Sequence, residues 1–260
     1  MSDLSELNRF EKEESLKHLK ITWTYNSNAI EGNSLSYGDT QFIIENGLTV
    51  KGKPLKDHNE VVGHAKAIDI VYGLIEKDEI GCDDIFNLHR AIQTNIVIDI
   101  DCPIGAYKVV ENGRMIRVDG KLRYFPYPDS SDVPYLMELW FEQFGVIKKL
   151  QSFDECVDAY TDIHIAFTAI HPFFDGNGRV ARLISNLSLL KSGYLPIIID
   201  TTDRQEYINL LSGYNLAAKP LDKTAKTLLE KNKTYYELRE FFKDQYKNSK
   251  ELLDAIRSKR

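Results

Sequence analysis

Within twelve positions, His171-Pro172-Phe173-Phe174-Asp175-Gly176-Asn177-Gly178-Arg179-Val180-Ala181-Arg182 gathers an imidazole, a carboxylate, two glycines and two guanidiniums. Apolar residues at helical spacing precede it from Cys156 to Ile170, and Pro172 cannot continue that helix without losing a backbone donor, so the helix is expected to end near His171. Val180 to Leu190 is helical again, which makes Asp175 to Arg179 the loop and first turn of a second helix. The first N–H groups of a helix lack intrahelical partners and carry the positive end of the macrodipole, so this turn suits an anion, phosphate above all. Gly176 and Gly178 let the backbone approach such a guest closely, and Arg179 and Arg182, three apart, can clamp its oxygens. Asp175 opposes this positive charge, and a carboxylate beside a polyphosphate is the usual holder of Mg2+. His171 supplies a base that is mostly neutral at pH 7. The group reads as phosphate-bond chemistry with an activated hydroxyl. A calcium loop opening at Asp175 is excluded, because Val180 and Asn186 stand where that loop needs Gly and Glu.

The elements around this stretch are mostly helical. The chain has 260 residues, 43% hydrophobic and 28% charged, an ordinary globular composition that we read as one domain with appendages. No apolar run reaches the length of a membrane span and no basic-then-apolar leader opens the chain, so a membrane role is not expected. Cys82, Cys102 and Cys156 have no ligand-like spacing and read as reduced thiols, which places the protein in the cytoplasm. The net charge is −6, but twelve basic and seven acidic residues lie between Lys219 and Arg260, leaving −11 on the rest. An acidic body argues against nucleic acid as a partner and sets off the arginine pair as a local anion site.

Residues 5 to about 30 read as an amphipathic helix carrying Leu4, Leu7, Phe10, Leu16, Leu19, Ile21 and Trp23, with Gly32 or Asn33 as its C-cap. Glu31 then sits in the last turn, where the macrodipole disfavours negative charge unless a cation meets it. Short and long helices follow over Asp39–Asn46 and about Asp57–Glu76, the latter with Val61, Val62, Ala65, Ile68, Val71, Tyr72 and Ile75 on its core side, and another over Asp83–Ile92. His58, His64, His89 and His164 lie scattered on helices and read as structural. Gly105–Val110 looks β-prone, and two runs around Asp119-Gly120, Met115 to Val118 and Lys121 to Phe125, predict a hairpin. A lone hairpin is marginal in water and must lie on the body or take a partner strand. Helices are expected over Val133–Leu150 and Arg204–Ala218. Two or three charged helices are expected after Pro220, with Leu228, Leu229, Tyr235, Tyr236, Phe241 and Phe242 as their apolar stripe.

The stretch from His171 to Arg182 resembles the Fic motif, His-x-Phe-x-Asp/Glu-Gly-Asn-Gly-Arg-x-x-Arg, at every defined position, a match expected by chance in on the order of one window in 10⁹. Gly178 stands where the related Doc-type kinases have a lysine. The resemblance implies an all-α Fic domain with a β-hairpin flap, and an enzyme that transfers AMP from ATP to a Ser, Thr or Tyr hydroxyl of a protein, itself included. His171 would be the base, Asp175 the Mg2+ ligand, and Gly176, Asn177, Gly178, Arg179 and Arg182 the phosphate holders, with Asn215 and, more loosely, Tyr207 at the adenine. Ser27-Asn28-Ala29-Ile30-Glu31-Gly32 is similar to the family's inhibitory motif, in which the glutamate pairs with the second arginine, here Arg182, and keeps ATP from seating. The flap, represented by Ile116, Val118 and Leu122, would hold the target protein by strand pairing. These implications divide the chain into an inhibitory N-terminal helix (1–34), a catalytic core (35–218, hairpin about 115–125) and a C-terminal extension (219–260) that serves packing or homodimerisation. A de-AMPylase using the same site, a nucleotide-binding regulator without turnover, and a donor other than ATP remain open at this point.

Overall fold

The computed structural model describes residues 7–93, 99–118 and 120–258. Its elements are α1 (Arg9–Ile30), α2 (Tyr37–Asn46), α3 (Leu55–Gly73), α4 (Cys82–Ile92), β1 (Gly113–Val118), β2 (Lys121–Pro126), α5 (Val133–Phe144), α6 (Phe153–Ile170), α7 (Asn177–Ser185), α8 (Leu187–Lys191), α9 (Arg204–Ala217) and α10 (Lys233–Arg257). The fold is all-α apart from the antiparallel β1–β2 hairpin.

Helices α6 and α7 are buried along most of their length, polar positions such as Asn177, Arg179, Arg182 and His164 included, and their apolar residues share one core: Tyr160, Ile163, Ala166, Phe167 and Ile170 with Val180, Ala181, Leu183 and Ile184. One hydrophobic cluster extends from Leu19 and Trp23 on α1 through this pair to Phe242 and Leu253 on α10. Helix α1 packs on α2, α3 and α10, and its C-terminal end lies against α7. A buried Asn186 at the α7–α8 junction donates to the carbonyls of Arg182 and Ile197 and accepts from the N–H of Ile197, tying the buried segment Ile197–Ile199 to the motif helix.

Several expectations shift. Helix α1 starts at Arg9 because Asn8 and Glu11 form a reciprocal cap there; Leu4 lies outside the described residues, and Phe10 points to solvent at 58% exposure. On α3, Val62 is exposed and does not join the core face. Gly105–Val110 forms no strand; its path is set by bonds to His89 on α4 and to Pro172 in the motif loop instead. Helix α5 stops at Phe144 rather than Leu150, because the Gly145 carbonyl turns to accept from the N–H of Ile80. The C-terminal region holds one 25-residue helix, α10, in place of two or three, and Tyr236 lies off its buried stripe. Its core-facing residues Tyr235, Leu238, Phe242, Tyr246 and Leu253 recur at helical spacing over the whole length, so nothing interrupts it.

Candidate active site

His171 ends α6 in the left-handed conformation (φ 52°, ψ 59°) and is the one non-glycine at positive φ among the described residues. That turn swings the imidazole off the helix axis and reverses the chain into Pro172–Gly176. Gly176 (φ 80°) caps α7 in the left-handed region that favours glycine, and a Cβ there would also press on Gln93 Nε2 at 2.8 Å.

Two side chains fix the loop between them. Asn177 is buried; its amide accepts from Phe173 N–H (2.9 Å) and donates to the Phe173 carbonyl (2.8 Å). The Asn177 side chain is thus spent on the loop rather than offered to a phosphate. His89 on α4 stacks on Phe173 with ring centroids 3.8 Å apart. It accepts from Gly105 N–H at Nδ1 (2.9 Å) and faces the Asp175 carbonyl with Nε2 (3.1 Å). Only the neutral Nε2–H tautomer satisfies both contacts, and burial lowers this imidazole to about 4.

The catalytic candidate is held on its face and left open at an edge. Tyr127, just past the hairpin, stacks on His171 with centroids 3.5 Å apart and planes 4° off parallel. Desolvation, helped by the buried Lys108 and by Arg114, lowers His171 to about 3; the nearby Thr168 carbonyl opposes this without closing a hydrogen bond on Nδ1, which has no partner. The ring is therefore neutral across the physiological range. Lys108 donates its backbone N–H to the Pro172 carbonyl and its ammonium to Asn112 Oδ1, and burial lowers it to about 8.

The two arginines are both buried. Arg179 lies 3.4 Å from Glu60 Oε1 and 3.6 Å from Asp175 Oδ2, and its Nε and Nη1 have no hydrogen-bond partner. Arg182 donates Nε to Ser27 Oγ (3.0 Å) and Nη2 to both the Ser27 carbonyl (2.9 Å) and Glu31 Oε1 (2.7 Å); Tyr207 Oη lies 3.5 Å from Nη1. Burial alone would lower the guanidinium, but Glu31 and Tyr207 outweigh it and its pKa is raised. Glu31 thus meets a cation at the C-terminal end of α1, where Arg204 also donates to the Ile30 carbonyl (2.6 Å). A Cβ at Gly178 would lie 2.7 Å from Glu31 Oε1, so the bare backbone there makes room for the Glu31–Arg182 pair.

Asp175 keeps 68% of its side chain exposed. The partial burial it has raises its pKa, but the Gln93 amide, Arg179 and the Gly176 N–H (2.7 Å) outweigh that and hold it ionised. Among the described residues no three His, Cys, Asp or Glu side chains cluster as a metal site. Mg2+ needs no such cage, since it commonly takes one or two carboxylates, waters and substrate phosphates, and an exposed anionic Asp175 beside the α7 N-terminus fits that donor set.

His171, Gly178, Arg182, Glu31 and Asn215 line one cavity of about 220 Å³. Arg114, Tyr127 and Asn215 also line a larger adjoining cavity of about 700 Å³ between the hairpin base and the segment after α9. Tyr207 is a wall of the smaller cavity, but its ring is buried against Phe241 and its hydroxyl bonds His164 Nε2 (2.9 Å), so it braces Arg182 and offers no free face to a base. Of the flap positions, Ile116 is buried and shares a face with Val118, whereas Leu122 lies on the opposite face; the side chain of Val118 lies outside the described residues.

Sequence reasoning missed Tyr127, Lys108, Arg114, Glu60 and Gln93. Glu60, 13% exposed, also accepts from Asn33 Nδ2 (2.9 Å), and it lies on α3, far from the motif in sequence. Its signal was faint: a carboxylate on a helix face otherwise turned inward.

Comparison with known proteins agrees with this geometry. Residues 79–189 match the Fic/DOC family profile. The chain is 30% identical over 207 residues to protein adenylyltransferase fic-1 of Caenorhabditis elegans, covering 77% of this chain and 38% of that protein. It is 31% identical over 206 residues to protein adenylyltransferase Fic of Drosophila grimshawi, covering 79% and 39%. The chain thus spans about two fifths of the length of these relatives. A Fic domain containing signaling protein from Bacteroides thetaiotaomicron superposes with a TM-score of 0.78 at 25% identity, covering 97% of this chain and 93% of that one. Fic-1 from C. elegans superposes at 0.75 and 24% identity, over 99% and 70%. The motif, the helical frame around it and these likenesses agree in placing a Fic/DOC family domain at residues 79–189 of this chain.

Proposed function

We propose that this chain transfers AMP from ATP to a protein hydroxyl and that Glu31 restrains the reaction. The observation that carries the proposal is the convergence of His171, Arg182 and the N-terminal turn of α7 on one cavity, with Glu31 lodged in it.

In the transfer, neutral His171 takes the proton from the acceptor hydroxyl as its oxygen bonds to the α-phosphorus, and the bond from that phosphorus to the pyrophosphate oxygen breaks. The products are the AMP ester and pyrophosphate, with the proton on His171. The left-handed turn and the Tyr127 stack set the ring's direction, so little reorganisation remains for the chemical step. The free N–H groups of α7, Arg179 and Arg182 meet the charge that develops on the phosphates, while Asn177 acts one step removed by holding the loop. Bound Mg2+, held by Asp175, would neutralise phosphate charge.

A cavity of about 220 Å³ is below the roughly 300–1,000 Å³ of small-molecule sites. Glu31 competes with phosphate for the same guanidinium, so removing it both widens the cavity and frees Arg182. The target is a protein segment added along the hairpin edge. Three free cysteines support a cytoplasmic setting.

The test is label from α-³²P-ATP in the protein itself and in a lysate, for wild type, Glu31→Gly and Glu31→Gly with His171→Ala. Strong labelling by Glu31→Gly alone is expected. If Glu31→Gly binds ATP yet labels nothing, the transfer reading fails.

A further inference from the structure

The β1–β2 hairpin is basic on an acidic body: residues 113–126 hold Arg114, Arg117, Lys121 and Arg123 against Asp119 alone, whereas residues 1–218 carry −11. Its register sorts the strand positions by face. Arg114 pairs with Phe125, Ile116 with Arg123 and Val118 with Lys121 on one face; Met115 pairs with Tyr124 and Arg117 with Leu122 on the other, so along β2 itself Lys121 and Arg123 alternate with Leu122 and Tyr124. Lys121 and Arg123 are exposed and form no ion pair among the described residues. Met115, Leu122 and Tyr124 are exposed at 57%, 59% and 56%. A large apolar triplet left in water is an expensive surface for a hairpin that is only two strands wide, whereas Lys121 and Arg123 on the other face are solvated charges that can select a partner.

The base of the hairpin leads to the reaction site. Arg114 lines the cavity that holds His171, Phe125 lines the adjoining one, and Tyr127, directly after β2, stacks on the His171 ring. The face bearing Lys121 and Arg123 is therefore the face whose base opens toward His171. No strand lies along the outer edge of β2 among the described residues.

We infer that the protein segment modified by this chain is an extended strand that alternates acidic and apolar residues, added to the β2 edge with the acceptor hydroxyl on the acidic side. The inference rests on the AMP-transfer reading for the word modified, but not for the docking. Side chains of a strand alternate between faces, and directly opposed cross-strand pairs are the unit of recognition. A hydroxyl turned toward His171 therefore shares its face with residues two and four positions away, which meet Arg123 and Lys121 and are acidic. Residues one and three positions away fall on the opposite face, where Tyr124 and Leu122 take apolar partners. The competing use of Lys121 and Arg123 is simply to blunt an edge against aggregation, which would bring no preference for such a sequence.

The experiment uses three fluorescein-labelled peptides of equal length around one threonine. One has Glu at ±2 and ±4 with Val at ±1 and ±3, and a second has these positions exchanged. A third repeats the first with Lys for Glu. Binding to Glu31→Gly with His171→Ala is read by fluorescence polarisation, and labelling by Glu31→Gly from α-³²P-ATP. The first peptide should bind roughly tenfold tighter than either control, given two charge pairs and two apolar pairs of ordinary cross-strand strength, and the preference should shrink as salt rises. Lys121→Glu with Arg123→Glu should shift the preference to the lysine peptide, with folding of the variant checked by its melting temperature. Equal binding of all three peptides, or an unchanged preference in the charge-reversed variant, overturns the inference. Discrimination in binding without any labelling leaves the docking chemistry standing and refutes the transfer reading instead.

Discussion

Replacing Gly178 by alanine should change sign with the residue at position 31. In the wild type the new methyl would stand 2.7 Å from Glu31 Oε1, closer than real Cβ contacts come, and a tight 3.1 Å from Arg182 Nη1, so the Glu31 carboxylate has to shift and its 2.7 Å bond to Arg182 is weakened or lost. A hydrogen bond to a charged group is worth about 1.5–3 kcal/mol. Because 38% of the Glu31 side chain reaches solvent, a discounted loss of about 1–2 kcal/mol is the reasonable figure. Against this, alanine in the first turn of α7 gains roughly 0.5–1 kcal/mol over glycine. Gly178→Ala should thus destabilise the wild type by about 0.5–1 kcal/mol but stabilise Glu31→Gly by a similar amount, a coupling of about 1–2 kcal/mol. Urea unfolding of the four proteins measures it, with each difference taken from midpoint and slope. Additivity of the two substitutions within about 0.3 kcal/mol would refute the view that position 178 must be bare to admit Glu31.

Three further outcomes follow from the site. His171 and His164 are lowered to about 3, and His89 to about 4, with burial the leading cause; the unfolded chain therefore binds more protons on acidification. Stability present at pH 7 should be lost below about pH 6.5, by roughly 1 kcal/mol per buried histidine at pH 5.5, visible as a lower urea midpoint; an unchanged midpoint between pH 7.5 and 5.5 contradicts the burial argument. Asn177→Ala leaves the Phe173 N–H without its partner in a buried loop, while the carbonyl keeps Asn112 Nδ2 (3.1 Å), so a loss of about 1–3 kcal/mol and faster hydrogen exchange at Phe173 are expected. Asp175→Asn in the Glu31→Gly background should raise the Mg2+ concentration needed for half-maximal labelling at least several-fold, and chelation of Mg2+ should abolish labelling; equal metal dependence of the two proteins would remove Asp175 from the metal's shell.

The phosphate-binding turn was legible because its physics is local. Where Pro172 stops one helix, where Gly176 starts the next, and the one-sided spacing of Arg179 and Arg182 are properties of a dozen consecutive residues. The hairpin was legible for the same reason, since Asp119-Gly120 between β-prone runs specifies its own turn. The errors arose where local preference met distant partners: Gly105–Val110 follows His89 and Pro172 rather than a strand neighbour, and α5 stops because Gly145 bonds Ile80.

The side chains that set the site's electrostatics come from α1, α3, the hairpin exit and α9. Asn177 carries a motif position, yet only the folded loop reveals that its amide bonds Phe173 and not a guest. Tyr207 resembled a base-stacking residue until packing turned it onto Phe241, His164 and Arg182. By itself, then, the amino-acid sequence determined the chemistry on offer, a base, a carboxylate, two guanidiniums and a helix N-terminus, because bonding and turn geometry act over a few residues. Tertiary structure alone decided that Tyr127 stacks on His171, that Glu60 faces Arg179 and that Glu31 closes on Arg182. Contacts across 44, 119 and 151 residues of chain depend on how the buried faces of α1, α3, α6, α7 and the hairpin pack, and no local spacing encodes them.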